Sequence, residues 1–157
     1  MDMKININES KYAKKAMDLF KEGFNCSQAV FLAFEDKYGV DREFALRLSS
    51  SFGGGMGRLR EVCGAVSGMF MVAGALYGYS SPLDYEAKSN HYKRIQELAN
   101  EFQNFNKSIV CRELLGLDKG KDNHAPEKRT EEYYKKRPCG ELVGIAAAIM
   151  ENYINEN

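Results

Sequence analysis

From Val62 to Leu83 no side chain carries a charge. A stretch of that kind either crosses a bilayer, for which about 20 apolar residues suffice, or is packed inside a fold. Gly64, Ser67, Gly68, Gly74, Gly78, Ser80, Ser81 and Pro82 dilute it, and the truly apolar run shrinks to Met69–Tyr77. The pattern therefore predicts a glycine-rich helix buried centrally in a protein core, from about Glu61 to Tyr79, and no membrane span. A chain of 157 residues suits one domain, 1–157. At that size roughly 70% of the unfolded surface is buried, so neither metal nor disulfide is needed merely to fold. Lys plus Arg and Asp plus Glu stand at 22 each without long blocks of one sign, which argues against nucleic acid and anionic lipid as partners. The polar start, MDMKININESK, lacks a secretory pattern and predicts a cytoplasmic, reducing location where structural disulfides are rare.

Helical spacing recurs along the chain. Ala13, Ala16, Met17 and Phe20 mark a first helix stopped by Gly23. Asn25 and Gln28 form a capping-box pattern opening a second, whose face runs through Ala29, Val30, Ala33, Phe34 and Tyr38 to Gly39. A short helix through Phe44, Ala45 and Leu48 follows, then Gly53-Gly54-Gly55-Met56-Gly57, a loop on entropy grounds. Pro82 opens a long amphipathic helix with a near-heptad stripe of Tyr92, Ile95, Ala99, Phe102 and Phe105 or Asn106, a candidate homodimer seam. Ser108 caps a short helix through Cys111, Leu114 and Leu115, ended by Gly116, and a polar loop runs to Pro126. Glu127–Lys136 reads as a charged helix, and Pro138 starts a last one with Leu142, Ile145, Ala146, Ile149, Met150 and Tyr153 inward. No segment alternates like a strand, so the fold class is all-α, a helical bundle.

On this reading Cys26, Cys63, Cys111 and Cys139 each fall in or near the first turn of a helix. Free N–H groups and the positive end of the macrodipole lower a thiol's pKa there, and the thiolate is the form that attacks electrophiles or binds metal. Arg58 and Arg60 precede Cys63, Arg112 adjoins Cys111, and Lys135, Lys136 and Arg137 precede Cys139, which adds cationic neighbours in sequence. Cys63 and Cys139 also share Cys-Gly-x-x-x-Gly, placing Gly64 with Gly68, and Gly140 with Gly144, on one helix face each. Such a face admits a neighbouring helix or a flat cofactor. With no Cys-x-x-Cys pair, a four-thiolate zinc or iron–sulfur site would be assembled by the fold, and a dithiol–disulfide couple is the other chemistry open to these residues. As a third reading, each cysteine is a small buried hydrophobe.

The sequence resembles a family of redox-active proteins named for its cysteine pattern, C_GCAxxG_C_C. The matching residues are Asn25-Cys26-Ser27-Gln28, the block FGGGMGRLREVCGAVSG from Phe52 to Gly68, Cys111 in VCRELLG and Cys139 in RPCGELV. Val62 stands where the pattern has glycine, and Gly64 separates Cys63 from Ala65. The resemblance implies a helical protein with four functional cysteines in a redox or metal-related role; with the residue pattern, the leading reading is a redox or electron-transfer protein with a redox partner protein. Some relatives resemble haem-bearing split-Soret cytochromes, but this chain has no Cys-x-x-Cys-His for covalent haem.

His91 and His124 belong to no metal-binding spacing; His91 reads as a surface or seam residue. Gly54, Gly55 and Arg58 in GGGMGR, with Gly64 and Gly68, are the candidate cofactor-contacting positions beside the four cysteines. The segment lacks the Gly-Lys-Ser/Thr ending of a phosphate loop, and a bent loop giving access to Cys63 is the favoured role. The rival classes are a non-catalytic helical interaction module with structural cysteines and an enzyme using Cys63 as nucleophile on a small anion, for which no general base is identifiable.

Overall fold

The computed structural model describes residues 6–118 and 120–157. The first five residues of the polar N-terminus and Lys119 of the loop after Gly116 lie outside the described residues. In chain order the helices are α1 (Lys11–Lys21), α2 (Cys26–Ala33), α3 (Glu35–Tyr38), α4 (Arg42–Ser50), α5 (Gly53–Met56), α6 (Gly64–Tyr77), α7 (Tyr85–Asn106), α8 (Cys111–Leu114), α9 (Glu131–Lys136) and α10 (Cys139–Glu156). No helix is long and apolar enough to cross a membrane among the described residues. The all-α class is what the apolar spacing demands.

Caps decide where the helices begin. Ser10 Oγ accepts the Ala13 N–H at the start of α1, and Asn25 and Gln28 form the reciprocal capping box of α2. One helix was expected from Asn25 to Gly39, but the chain turns at Phe34 (φ −101°, ψ 18°). The turn puts Phe34 in the core, stacked on Tyr12 at 4.3 Å between centroids, and leaves α3 outside.

The core lies where α10 runs along α1 and α2 crosses α6, with α10 also against α6. Glycine makes both approaches close. A Cβ on Gly68 would stand 2.7 Å from the Ser27 carbonyl oxygen, and one on Gly144 2.7 Å from Met17 Sδ. The uncharged stretch forms α6 from Gly64, later than expected, because Cys63 is its N-cap; burial covers Gly64–Met69, Val72 and Ala73 and then gives way to exposed Gly74 and Ala75.

The long helix begins at Asp84, which caps it, and not at Pro82. Its buried stripe is His91, Leu98 and Phe102, with Ile95 half-buried, whereas Tyr92 and Phe105 stay in solvent. The expected stripe is thus rotated, and its inner part is covered by the chain itself. On α4 only Ala45 and Ser49 are buried, so Phe44 and Leu48 are not a core face. The charged helix shortens to Glu131–Lys136 because Thr130 supplies its cap.

Candidate functional site: a cavity lined by four cysteines

Cys26, Cys63, Cys111 and Cys139 line one cavity of about 180 Å³. Each stands at a helix start: Cys26, Cys111 and Cys139 are the first residues of α2, α8 and α10, and Cys63 caps α6. The inner two are nearly sealed, at 5% exposure for Cys63 and 7% for Cys111. Cys26 and Cys139 are half-buried, and all four are free thiols.

Two backbone devices bring the inner pair together. An antiparallel bridge between Val62 and Val110 lets the Cys63 N–H donate to Ile109 O at 2.8 Å, the Cys111 N–H to Glu61 O and the Arg112 N–H to Arg60 O. No alternation announced this short pairing, since one bridge is too brief to make a pattern. The second device is a run of left-handed residues. Gly54, Gly55, Met56, Gly57, Arg58 and Arg60 all have φ between 60° and 70°. Non-glycine residues pay about 1–2 kcal/mol for that conformation, so Met56, Arg58 and Arg60 hold strain that surrounding contacts must oppose. At Gly55 a Cβ would lie 2.6 Å from Cys111 Cβ and 2.9 Å from Arg60 Cα, so the turn packs directly against Cys111. Gly64 lets α6 approach α2: its Cβ would be 2.9 Å from Phe52 O and 3.1 Å from Cys26 Cβ.

The outer wall comes from the segment before α10. Arg129 lines the cavity with its guanidinium over the Phe20 ring at 4.2 Å, donating to Phe20 O and Phe24 O at 3.0 Å each. Tyr133, Pro126 and Glu127 line it as well, and Glu127 accepts from Arg137.

A family model described as "Putative redox-active protein (C_GCAxxG_C_C)" matches residues 24–153, a range holding every residue that lines the cavity. The chain belongs to the C_GCAxxG_C_C family. No curated protein and no solved structure matches it.

In this family member the cations are not distributed as sequence adjacency implies. Arg60, upstream of Cys63, reaches Cys111 instead, with Nη1 at 3.6 Å from Sγ, while Nε and Nη2 hold Asp122. Arg112, next to Cys111, turns outward to Glu61 at 3.0 Å. Arg58 donates to Asn123 O and pairs with Asp122 at 3.5 Å.

The general lowering expected from helix starts holds for one thiol. Burial pushes Cys63 up to about 12, against the Ala65 and Val66 N–H groups that favour its thiolate. Burial likewise raises Cys111, with Arg60 opposing. Cys26 is raised because its S–H donates to Cys139 and because it is desolvated. Cys139 is lowered to about 7, first by that hydrogen bond and then by Arg137, Arg60 and Arg129, with burial opposing. At Cys63 and Cys111 desolvation outweighs the opposing N–H groups and guanidinium; at Cys139 the Cys26 hydrogen bond and three guanidiniums outweigh it.

Of the candidate cofactor-contacting residues, Gly54, Gly55, Arg58 and Gly64 line the cavity. Gly68 faces α2 instead, where its missing side chain admits the Ser27 carbonyl. Gly140 meets only Phe20 at ordinary distance. His91 is buried on the α7 seam beside Arg94, and His124 is exposed. Four thiols are suitable donors for zinc or an iron–sulfur cluster, yet among the described residues no group of three or more His, Cys, Asp or Glu side chains is arranged to hold a metal ion. Arg129 and Tyr133 had no signal in the sequence: their place follows from the way residues 126–133 line the cavity.

Proposed function

We propose that this protein is a dithiol–disulfide redox protein in which Cys139 is the attacking thiolate and Cys26 its resolving partner. The observation that carries the reading is the gathering of four cysteines on one cavity, of which Cys26 and Cys139, at the starts of α2 and α10, are the two left half-buried. A thiol held near pH 7 combines a useful thiolate fraction with retained nucleophilicity. The Cys139 thiolate attacks one sulfur of a substrate disulfide, forms a mixed disulfide and releases the first thiolate. Cys26 then loses its proton to the medium and attacks Cys139 Sγ, releasing the second thiolate. Two protein thiols are oxidised and one disulfide is reduced. Cys63 and Cys111 stay reduced in this step, since both are nearly sealed from solvent.

The test is to treat reduced protein with one equivalent of hydroxyethyl disulfide and map the products by mass spectrometry. Loss of two thiols with a linked Cys26–Cys139 peptide, absent in Cys139→Ser, is the expected result. A persistent mixed disulfide, or pairing elsewhere, overturns the assignment. Metal retained in fixed ratio by anaerobically prepared protein, and lost in any single Cys→Ser variant, replaces it with the metal reading. Four inert thiols would leave the helical interaction module.

A further inference from the structure

The charges around the cavity do not balance. Arg58, Arg60 and Arg129 line it, and Arg137 stands behind Glu127. Asp122 answers both Arg58 and Arg60, and Glu127 answers Arg137. Arg129 has no carboxylate partner among the described residues: two backbone carbonyls and the rings of Phe20, Tyr133 and Tyr134 are what surround it. Carbonyl oxygens and ring faces orient a guanidinium without neutralising it, and Arg129 keeps N–H groups beyond the two they occupy. Even with Cys139 ionised, positive charge remains in excess on a partly enclosed, partly apolar space, where it is screened less than on an open surface.

We infer that the cavity selects small anionic substrates, specifically disulfides or thiols bearing a carboxylate, with Arg129 as the carboxylate-binding residue beside the thiol pair. This rests on the proposed thiol chemistry for the reaction, but the anion preference is a property of the cavity and can be read separately. A volume of about 180 Å³ admits a small molecule and not a folded partner's surface. The planar guanidinium suits a carboxylate better than a point charge would, because two N–H groups can meet two oxygens.

The experiment compares iodoacetate with iodoacetamide as alkylating reagents on the reduced full chain, following Cys139 by peptide mapping. In both reactions the sulfur–carbon bond forms as iodide leaves with the bonding pair; the reagents differ in the carboxylate. The ratio of the two rates, normalised to that of the same peptide in the urea-unfolded chain, cancels the thiolate fraction. An iodoacetate preference of about tenfold is expected, falling with added salt. Arg129→Gln should bring the ratio to near one and Arg129→Lys should keep part of it. A wild-type ratio at or below one overturns the inference without any variant. So does a preference that survives Arg129→Gln in folded protein. Anion preference without formation of the Cys26–Cys139 disulfide would remove the dithiol reading and leave the carboxylate site standing. A normal disulfide with no anion preference would do the reverse.

Discussion

The cavity has two walls of different construction. On the inner side, Cys63 and Cys111 are clamped by backbone: the Val62–Val110 bridge, the left-handed turn at Gly54–Arg60 and the close approach permitted by Gly55. On the outer side, Cys26 and Cys139 occupy two helix starts, and Pro126, Glu127, Arg129 and Tyr133 line the cavity beside them, Arg129 lying over the Phe20 ring. The inner wall excludes water and holds its thiols neutral. The outer wall leaves its pair half-buried among guanidiniums, and there one thiol is pulled toward ionisation. Helix starts alone therefore do not make reactive cysteines; what surrounds the sulfur decides.

The contrast breaks most severely if the inner clamp is forced open. Gly55→Ala places a Cβ at φ 67° against Cys111 Cβ and Arg60 Cα, and should destabilise the fold by about 3 kcal/mol in urea unfolding. Gly57→Ala is the matched control. Its φ is 61° but its nearest neighbour, Ser51 O, is 3.9 Å away, so about 1 kcal/mol is expected. Equal losses in the two variants would show that backbone conformation, and not the fit against Cys111, sets the rigidity of this wall.

The neutral state of Cys63 supplies the next test. Its folded pKa is raised, so its contribution to stability is intact below the ordinary value of 9 and is lost as pH rises toward about 12. In that window the unfolded chain releases a proton that the folded chain keeps, at up to about 1.4 kcal/mol per pH unit. Unfolding free energy followed from pH 9 to 11 should fall, and fall less steeply in Cys63→Ala. An unchanged slope would place Cys63 in a wetter setting than its 5% exposure implies.

The smallest effects sharpen the roles of the arginines. Arg60→Gln removes charged hydrogen bonds to Asp122 and a contact to Cys111 and should cost about 2 kcal/mol. Arg112→Gln, though adjacent to Cys111 in sequence, loses an exposed pair with Glu61 and one hydrogen bond to the Arg60 carbonyl, and should cost about 0.5–1 kcal/mol. Thermal unfolding of the two variants side by side reads the difference; similar losses would contradict the inward and outward placements of these side chains.

Much of this architecture was legible in the residues. Caps at Ser10 and Asn25, left-handed glycines such as Gly39 and Gly116, and apolar spacing are local signals, and they placed helix after helix. The four cysteines at helix starts were legible for the same reason. Errors arose where distant contacts override local ones. Phe34 leaves its helix to stack on Tyr12, and the buried stripe of α7 turns to His91, Leu98 and Phe102 because other helices cover that side. Which cation meets which sulfur was also decided at a distance, as Arg60 on Cys111 shows.

By itself the sequence determined an all-α chain with its thiols at helix N-termini, because capping, periodicity and glycine stops act within a few residues. Only the tertiary structure decided that those thiols share one cavity, that Arg129 stands beside them and that one sulfur of the four is lowered. Desolvation and charge pairing depend on neighbours far away in sequence, and residue order carries no local trace of them.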